Sequence, residues 1–244
     1  MFSLRILQCK YSVLVTASLL VIPIYSWNCF FKYWKKLQND YQQAILFNQR
    51  HNCVVTYQAN KGFSGWPPNV GRVKPRLDKP FEELYEPILY FISTAEKTLD
   101  VAVMLINVKC IFVELVKAKQ RGVTVKIIFD FHHTESSKDY IKKAVKKYDI
   151  ECQYFVTAGN NSDTIMHHKY LIKDYSETNG FVCTGSMNFS TTSVLINYES
   201  FVFMSNRDVV SAFKRNFDEI WESIHMDNQG LINKTILMDA HLES

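Results

Sequence analysis

Three short stretches of this chain concentrate side chains suited to phosphoryl chemistry: Met166-His167-His168-Lys169-Tyr170-Leu171-Ile172-Lys173-Asp174, then Gly185-Ser186-Met187-Asn188-Phe189-Ser190, then Asn197-Tyr198-Glu199. On a strand, side chains two apart share a face, so His167 and Lys169 point the same way while Asp174, at the strand's end, faces opposite to Lys169. An imidazole that titrates near neutrality beside a fixed ammonium is what attack on a phosphodiester needs: a nucleophile or acid, and a cation for the phosphate oxygens. Gly185 permits close backbone approach, and the Ser186 hydroxyl and Asn188 amide can donate to an anionic oxygen. Asp174 is read as part of the motif, with a structural hydrogen bond or ion pair favoured over proton transfer. His168, on the other face, is read as a supporting or surface residue. His132 and His133 follow a strand end at Asp130, where ligands bind in open α/β sheets, and are read first as loop residues. Taken singly, a histidine near an apolar strand or a Gly-Ser turn is ordinary; the weight lies in the set.

The elements that must position this set read as alternating strands and helices. Hydrophobic periodicity predicts a helix over 81–96 with Pro87 near its first turns, strand 99–105, helix 109–121 stopped by Gly122, strand 123–129, helix 137–148 and strand 150–155. Strands follow at 168–173, 180–184 and 198–204. An amphipathic helix from Asp208 to His225 then places Val209, Phe213, Phe217, Ile220, Trp221 and Ile224 on one stripe. This order predicts an α/β fold with a mixed, mainly parallel sheet flanked by helices on both faces. Ahead of it, 33–48 reads as a helix and 53–57 as a short strand. Between Asn60 and Pro80, Gly62, Gly65, Pro67, Pro68, Gly71, Pro75 and Pro80 mark a long loop. Its Phe63, Trp66, Arg72, Lys74, Arg76 and Lys79 suit contact with a polyanion or a membrane.

The 21 uncharged residues from Tyr11 to Phe31 would span about 31 Å as a helix, the hydrocarbon thickness of a bilayer. Tyr25, Trp27 and Tyr33 with Lys32, Lys35 and Lys36 resemble an interfacial anchor. A cleaved secretory signal fits less well, because bulky aromatics occupy the place where a small-residue cleavage site is wanted. The expected organisation is a membrane anchor over 1–32, a linker helix, strand and basic aromatic loop over 33–80, a catalytic domain over 81–226 and a tail over 227–244. The chain of 244 residues is 47% hydrophobic with only 8 Gly and 6 Pro, which excludes disordered and collagen-like classes. Arg5 and Lys10 precede the apolar run, so from Lys32 onward 26 basic residues face 24 acidic ones, which disfavours binding of a polyanion by bulk charge alone. Local patches remain, including Lys142, Lys143, Lys146 and Lys147, although each alone reads as a solvated face. Six scattered cysteines form neither a disulfide framework nor a zinc array, and Cys110 and Cys183 read as small core residues.

The full set, His-x-Lys-x-x-x-x-Asp with Gly-Ser-x-Asn downstream, resembles the signature of the phospholipase D superfamily. One copy of the motif behind an apolar N-terminal segment is similar to the mitochondrial cardiolipin hydrolase or Zucchini branch. The resemblance implies a homodimer that pools two copies of the motif, with a His167 from each subunit meeting across a two-fold axis. It further implies that one His167 forms a phosphohistidine while the other protonates the leaving oxygen. Lys169 and Asn188 would hold the phosphate oxygens, Ser186 would assist and Glu199 would orient the imidazole. No metal or cofactor is expected. That branch carries a zinc module ahead of the core, but residues 50–80 here offer only His51 and Cys53, too few for a tetrahedral site. The implied substrates are single-stranded RNA, cut by an endoribonuclease of the piRNA-processing type, or alternatively cardiolipin, yielding phosphatidic acid. A catalytically idle membrane scaffold binding RNA or lipid is a third possibility. The implied location is the mitochondrial outer membrane, single-pass, with the domain in the cytosol. Asn188-Phe189-Ser190 is a glycosylation sequon inside the proposed site, which disfavours a lumenal orientation.

Overall fold

The computed structural model describes residues 10–75, 81–131, 138–156 and 164–232. Arg76, Lys79, His132 and His133 lie outside the described residues, as does the side chain of Lys142. The chain divides into two compact units, Met1–Asn48 and Gln49–Ser244. Helix α1, Lys10–Arg50, runs unbroken through Pro23 and joins the expected anchor and linker helix into one element. It is long and apolar enough to cross a membrane by length and composition. Over 14–44 its apolar side chains are exposed, with Leu19, Ile22, Trp27 and Phe30 all more than 60% exposed.

The second unit is built on an eight-stranded sheet in the order β2-β1-β8-β7-β6-β3-β4-β5. The strands are β1 Cys53–Gln58, β2 Gly62–Ser64, β3 Thr98–Val103, β4 Thr124–Asp130, β5 Glu151–Phe155, β6 Lys169–Lys173, β7 Phe181–Gly185 and β8 Glu199–Met204. The mixed α/β class holds, but the expectation of a mainly parallel sheet does not. Only β3–β4 and β4–β5 are parallel, while the other five pairings are antiparallel. For the consecutive pairs β1–β2, β6–β7 and β7–β8 the reason is connection length. Helices α3 (Lys109–Gln120) and α4 (Lys138–Tyr148) carry the chain back between parallel strands. β6 and β7 are joined by a turn, and β7 and β8 by a link holding only the five-residue α5, Thr191–Leu195. Short links of this kind join antiparallel neighbours.

Period-two alternation sends Leu99, Val101, Val103, Leu171 and Phe203 to one face, under α2 (Glu86–Ser93), α3, α4 and α5. Ala102, Ile128, Tyr170, Ile172 and Val182 go to the other, under α6, Arg207–Ile232. Helices therefore cover both faces, as expected. α6 runs seven residues past the expected end at His225, and it seats Val210, Phe217 and Ile224 in the core. Each such large apolar side chain contributes about 1.5–3 kcal/mol on burial. A 3-10 turn, Phe81–Tyr85, precedes α2, and Pro87 lies in the first turn of that helix.

The expected loop after Asn60 contains β2, paired with β1, and Val73 bridges back to Phe63. Gly62 is at φ 75°, and a Cβ there would lie 1.8 Å from the carbonyl oxygen of Val73. Phe63 (0% exposed) and Trp66 (3%) are core residues. Trp66 packs on Tyr90 and Phe203 with ring centroids 5.5 and 5.4 Å away. Neither ring is available to a base or a lipid, which corrects that part of the sequence reading. The glycines and prolines here fold the backbone tightly enough for the aromatic rings between them to close the sheet's face.

Candidate active site

Antiparallel pairing brings the start of β6, the end of β7 and the start of β8 to one end of the sheet. The C-terminal ends of β3 and β4 lie there too, because Val103 registers with Lys169, and Gly185 with Phe201. His167 stands just ahead of β6, exposed, in an irregular segment. Lys169 is only 7% exposed, and its Nζ donates to the carbonyl oxygen of His167 at 2.9 Å. Burial lowers the Lys169 pKa, while the Glu199 carboxylate acts in the opposite direction. An ammonium has three donors, so two remain for a bound anion. His168 turns the other way and stacks edge-on against Tyr170, with centroids 5.3 Å apart. Burial, then the nearby charges of Lys169 and His167, hold its pKa below the usual imidazole value.

Gly185 is required by space, since a Cβ there would sit 1.9 Å from the Ser200 carbonyl oxygen on β8. That close approach lets the Ser186 hydroxyl donate to Glu199 Oε2 and accept the Ser200 N–H at 3.1 Å. Asn197 Nδ2 donates to Glu199 Oε1 at 2.9 Å. Both carboxylate oxygens are thus engaged by Ser186 and Asn197 rather than by the imidazole of His167, the partner the resemblance implied. Asn188 is placed by its neighbour Phe189, whose N–H donates to Leu105 and whose carbonyl accepts from Asn107. Among the described residues, Asn188 Oδ1 is buried with no hydrogen-bond partner; that oxygen can only accept, so an anion would be met by the Nδ2 donors of the same amide.

Asp174 is not brought to this site. It follows β6 at the opposite end of the sheet, at φ 52°, where its carboxylate accepts the backbone N–H groups of Glu96, Lys97 and Thr98 at 2.6–3.2 Å. The motif's carboxylate therefore fastens the start of β3 to the end of β6, the structural hydrogen bonding favoured from its facing on the strand, and it does not join the other candidate catalytic residues.

Two participants were not assigned roles from sequence. Asp130, buried at the end of β4, accepts the Met166 N–H at 3.0 Å. Asn197 holds Glu199. The signal for Asp130 was present in a single acid closing the apolar run Thr-Val-Lys-Ile-Ile-Phe-Asp; the exposed turn around Asn197 offered none. Lys173, fully buried on β6, donates to Thr94 Oγ1 at 2.5 Å, and its Nζ lies 4.9 and 5.3 Å from the centroids of Phe91 and Phe181.

The arrangement gathers one imidazole, one buried ammonium, a hydroxyl–carboxylate pair and an amide at one edge of the sheet. These are groups that can do phosphoryl chemistry: an imidazole can attack phosphorus, and an ammonium, a hydroxyl and an amide can donate to phosphate oxygens. A family model described as "Cardiolipin synthase, PLD-like domain" matches residues 88–221, a span that contains every one of these groups. Among curated proteins, the chain is similar to the mitochondrial cardiolipin hydrolase of Chlamydomonas reinhardtii, 27% identical over 134 residues, covering 55% of this chain and 56% of that protein. The mitochondrial cardiolipin hydrolase of Xenopus tropicalis is 23% identical over 148 residues, covering 61% of this chain and 64% of that protein. The matches thus span between half and two thirds of these relatives. Among solved structures, NucT from Helicobacter pylori shares the fold, with a TM-score of 0.50 at 21% identity over 60% of this chain and 92% of that one. With His167, Lys169, Ser186, Asn188 and Glu199 at one end of the sheet and the family match running through all of them, this chain belongs to the PLD-like domain family.

Proposed function

We propose that this protein is a membrane-anchored phosphodiesterase that works as a homodimer through a phosphohistidine intermediate. The observation that supports the reading is that His167, Lys169, Ser186, Asn188 and Glu199 come to one end of the sheet, with Lys169 Nζ on the His167 carbonyl oxygen and Ser186 on Glu199. An imidazole nitrogen of one His167 attacks phosphorus, and the bond from phosphorus to the leaving oxygen breaks as His167 of the partner subunit gives that oxygen a proton. Water then loses a proton to the same partner imidazole, attacks phosphorus and frees the first His167. Lys169 and the Asn188 amide hold the non-bridging oxygens, and the charge that develops there is met by groups already in place. Ile165, Ile196 and Tyr198, at 41%, 62% and 74% exposure, belong to the segments that carry His167 and Glu199, and they supply an apolar rim for the second copy.

For the substrate, the names of the curated relatives support cardiolipin, cut to release phosphatidic acid, and their mitochondrial designation with α1 supports a single-pass mitochondrial membrane anchor, which we read as lying in the outer membrane with the domain in the cytosol. Single-stranded RNA, cut as in piRNA processing, is the second reading. It is favoured by the exposed Tyr198 ring beside Glu199 and by exposed Lys61 and Lys74 near the β1–β2 turn at this same end of the sheet. The test is full-length protein in nanodiscs, with EDTA present, given cardiolipin and a single-stranded oligoribonucleotide side by side. Phosphatidic acid release that is absent in His167→Ala supports the first reading, and RNA cleavage without lipid turnover replaces it with the second. Turnover that survives His167→Ala overturns both, and no turnover of either substrate returns the chain to a scaffold.

A further inference from the structure

We infer that Asp130 is a positioning residue for His167, holding the backbone of the nucleophile-bearing segment without touching substrate. The inference rests on the reading of His167 as the nucleophile. Asp130 closes β4 and is 1% exposed. A carboxylate in that setting is destabilising unless it is well hydrogen-bonded. Its Oδ2 accepts the N–H of Met166, 36 residues on, at 3.0 Å. Met166 is itself 5% exposed and sits in the core under α6, while His167, the next residue, is exposed.

Residues 164–168 have neither helical nor strand conformation, so regular secondary structure does not fix the imidazole's origin. The pins come from elsewhere. Asp130 holds the peptide N–H just before His167, Lys169 Nζ holds the His167 carbonyl at 2.9 Å, and the Met104 N–H donates to the His168 carbonyl at 3.0 Å. Lys169 is committed to phosphate as well, and Met104 acts one residue later. Asp130 therefore holds the chain where it enters His167. In-line attack needs reacting atoms about 3–3.5 Å apart and aligned, and a displacement of about 1 Å costs on the order of 100-fold in rate.

The full-length protein is compared with Asp130→Ala, which deletes the acceptor, and Asp130→Asn, which keeps an oxygen at the same place without the charge. Turnover of a chromogenic phosphodiester gives kcat and KM, and hydrogen exchange of the peptide spanning 164–170 gives a readout that does not depend on activity. A positioning role predicts a fall in kcat of roughly 10- to 100-fold in Asp130→Ala, with KM within about threefold of wild type. It also predicts faster exchange over 164–170 and recovery of both readouts in Asp130→Asn, with an unchanged pH profile. Wild-type exchange and kcat in a folded Asp130→Ala overturn the inference. So does an Asp130→Asn variant that melts like wild type yet loses activity with a shifted pH profile, because charge and not the hydrogen bond would then be what matters. Should Asp130→Ala not fold, the Asn variant decides by the same criterion. If wild type turns over no phosphodiester, the proposed function fails, and the exchange data still decide whether Asp130 orders the segment.

Discussion

Lys173 offers a perturbation whose magnitude and pH dependence follow from the structure. Its ammonium is fully buried on β6, and desolvation pushes its pKa from 10.5 down to about 8, with the Asp174, Cys183 and Glu96 charges acting in the opposite direction. The unfolded chain returns the lysine to water. Because the folded pKa is the lower one, the cost of burying the charge is complete below about pH 8. It fades between 8 and 10.5 and is gone above. A displacement of that size corresponds to about 3 kcal/mol. The rings of Phe91 and Phe181 stand 4.9 and 5.3 Å from Nζ, and cation–π attraction there gives back about 1–2 kcal/mol. Methionine matches the aliphatic stem, fills irregular space and carries no charge. Lys173→Met is therefore expected to stabilise the fold by about 1–2 kcal/mol at pH 7, or roughly 2–8 °C in melting temperature for a unit of this size. Thermal unfolding of both proteins in the same detergent at pH 7 and at pH 10.5 is the assay, read as the difference between them so that other titrations cancel. The gain should shrink toward zero at the higher pH. A Met variant that melts lower at pH 7, or an advantage equal at both pH values, would refute the reasoning and mean that the aromatic cage and the Thr94 bond outweigh the cost of burying the charge.

Further expectations concern the site and its frame. Gly185→Ala must displace the β8 backbone, since its Cβ would lie 1.9 Å from the Ser200 carbonyl oxygen; a loss of about 1–3 kcal/mol of stability together with turnover is expected, and a wild-type melting curve would contradict it. Asp174→Ala strips three backbone N–H groups of their acceptor and should cost about 2–3 kcal/mol. The protein that remains folded should keep wild-type kcat, whereas loss of kcat without loss of stability would put Asp174 back in the chemistry. Replacing both Ile196 and Tyr198 by Asp should shift sedimentation in detergent from dimer to monomer and abolish turnover, and a monomeric variant with full activity would remove the shared site from the account. Asn197→Ala frees Glu199 Oε1 and should lower kcat more than it raises KM, a split read from steady-state kinetics.

The grouping of the candidate residues was legible because its signal is local. His167, Lys169, Ser186, Asn188 and Glu199 fall within 33 residues of sequence, and antiparallel strands joined by short links return such residues to one sheet end. Strand and helix positions were legible for the same reason, each resting on its own periodicity. The direction of pairing was not, because alternation of strands with helices is a statement about order along the chain, while β6, β7 and β8 are set by how short their connections are. Phe63 and Trp66 were misread because turn residues dominate their neighbourhood; burial of those rings depends on β1, β8 and α2, elements near and far in sequence. Asp174 shows the opposite case. Its facing on the strand already argued against proton transfer, and the backbone N–H groups it accepts come from a segment 76–78 residues away. The Asp130–Met166 bond, spanning 36 residues, is likewise a tertiary fact with only a faint local trace.

Covalent catalysis at one imidazole per chain is open to test by acid-free quenching during turnover followed by peptide mass spectrometry. A phosphoryl adduct on His167, accumulating while substrate lasts and absent from His167→Ala, is the predicted result. A fully active enzyme that carries no adduct at His167 at any time in the reaction would contradict it.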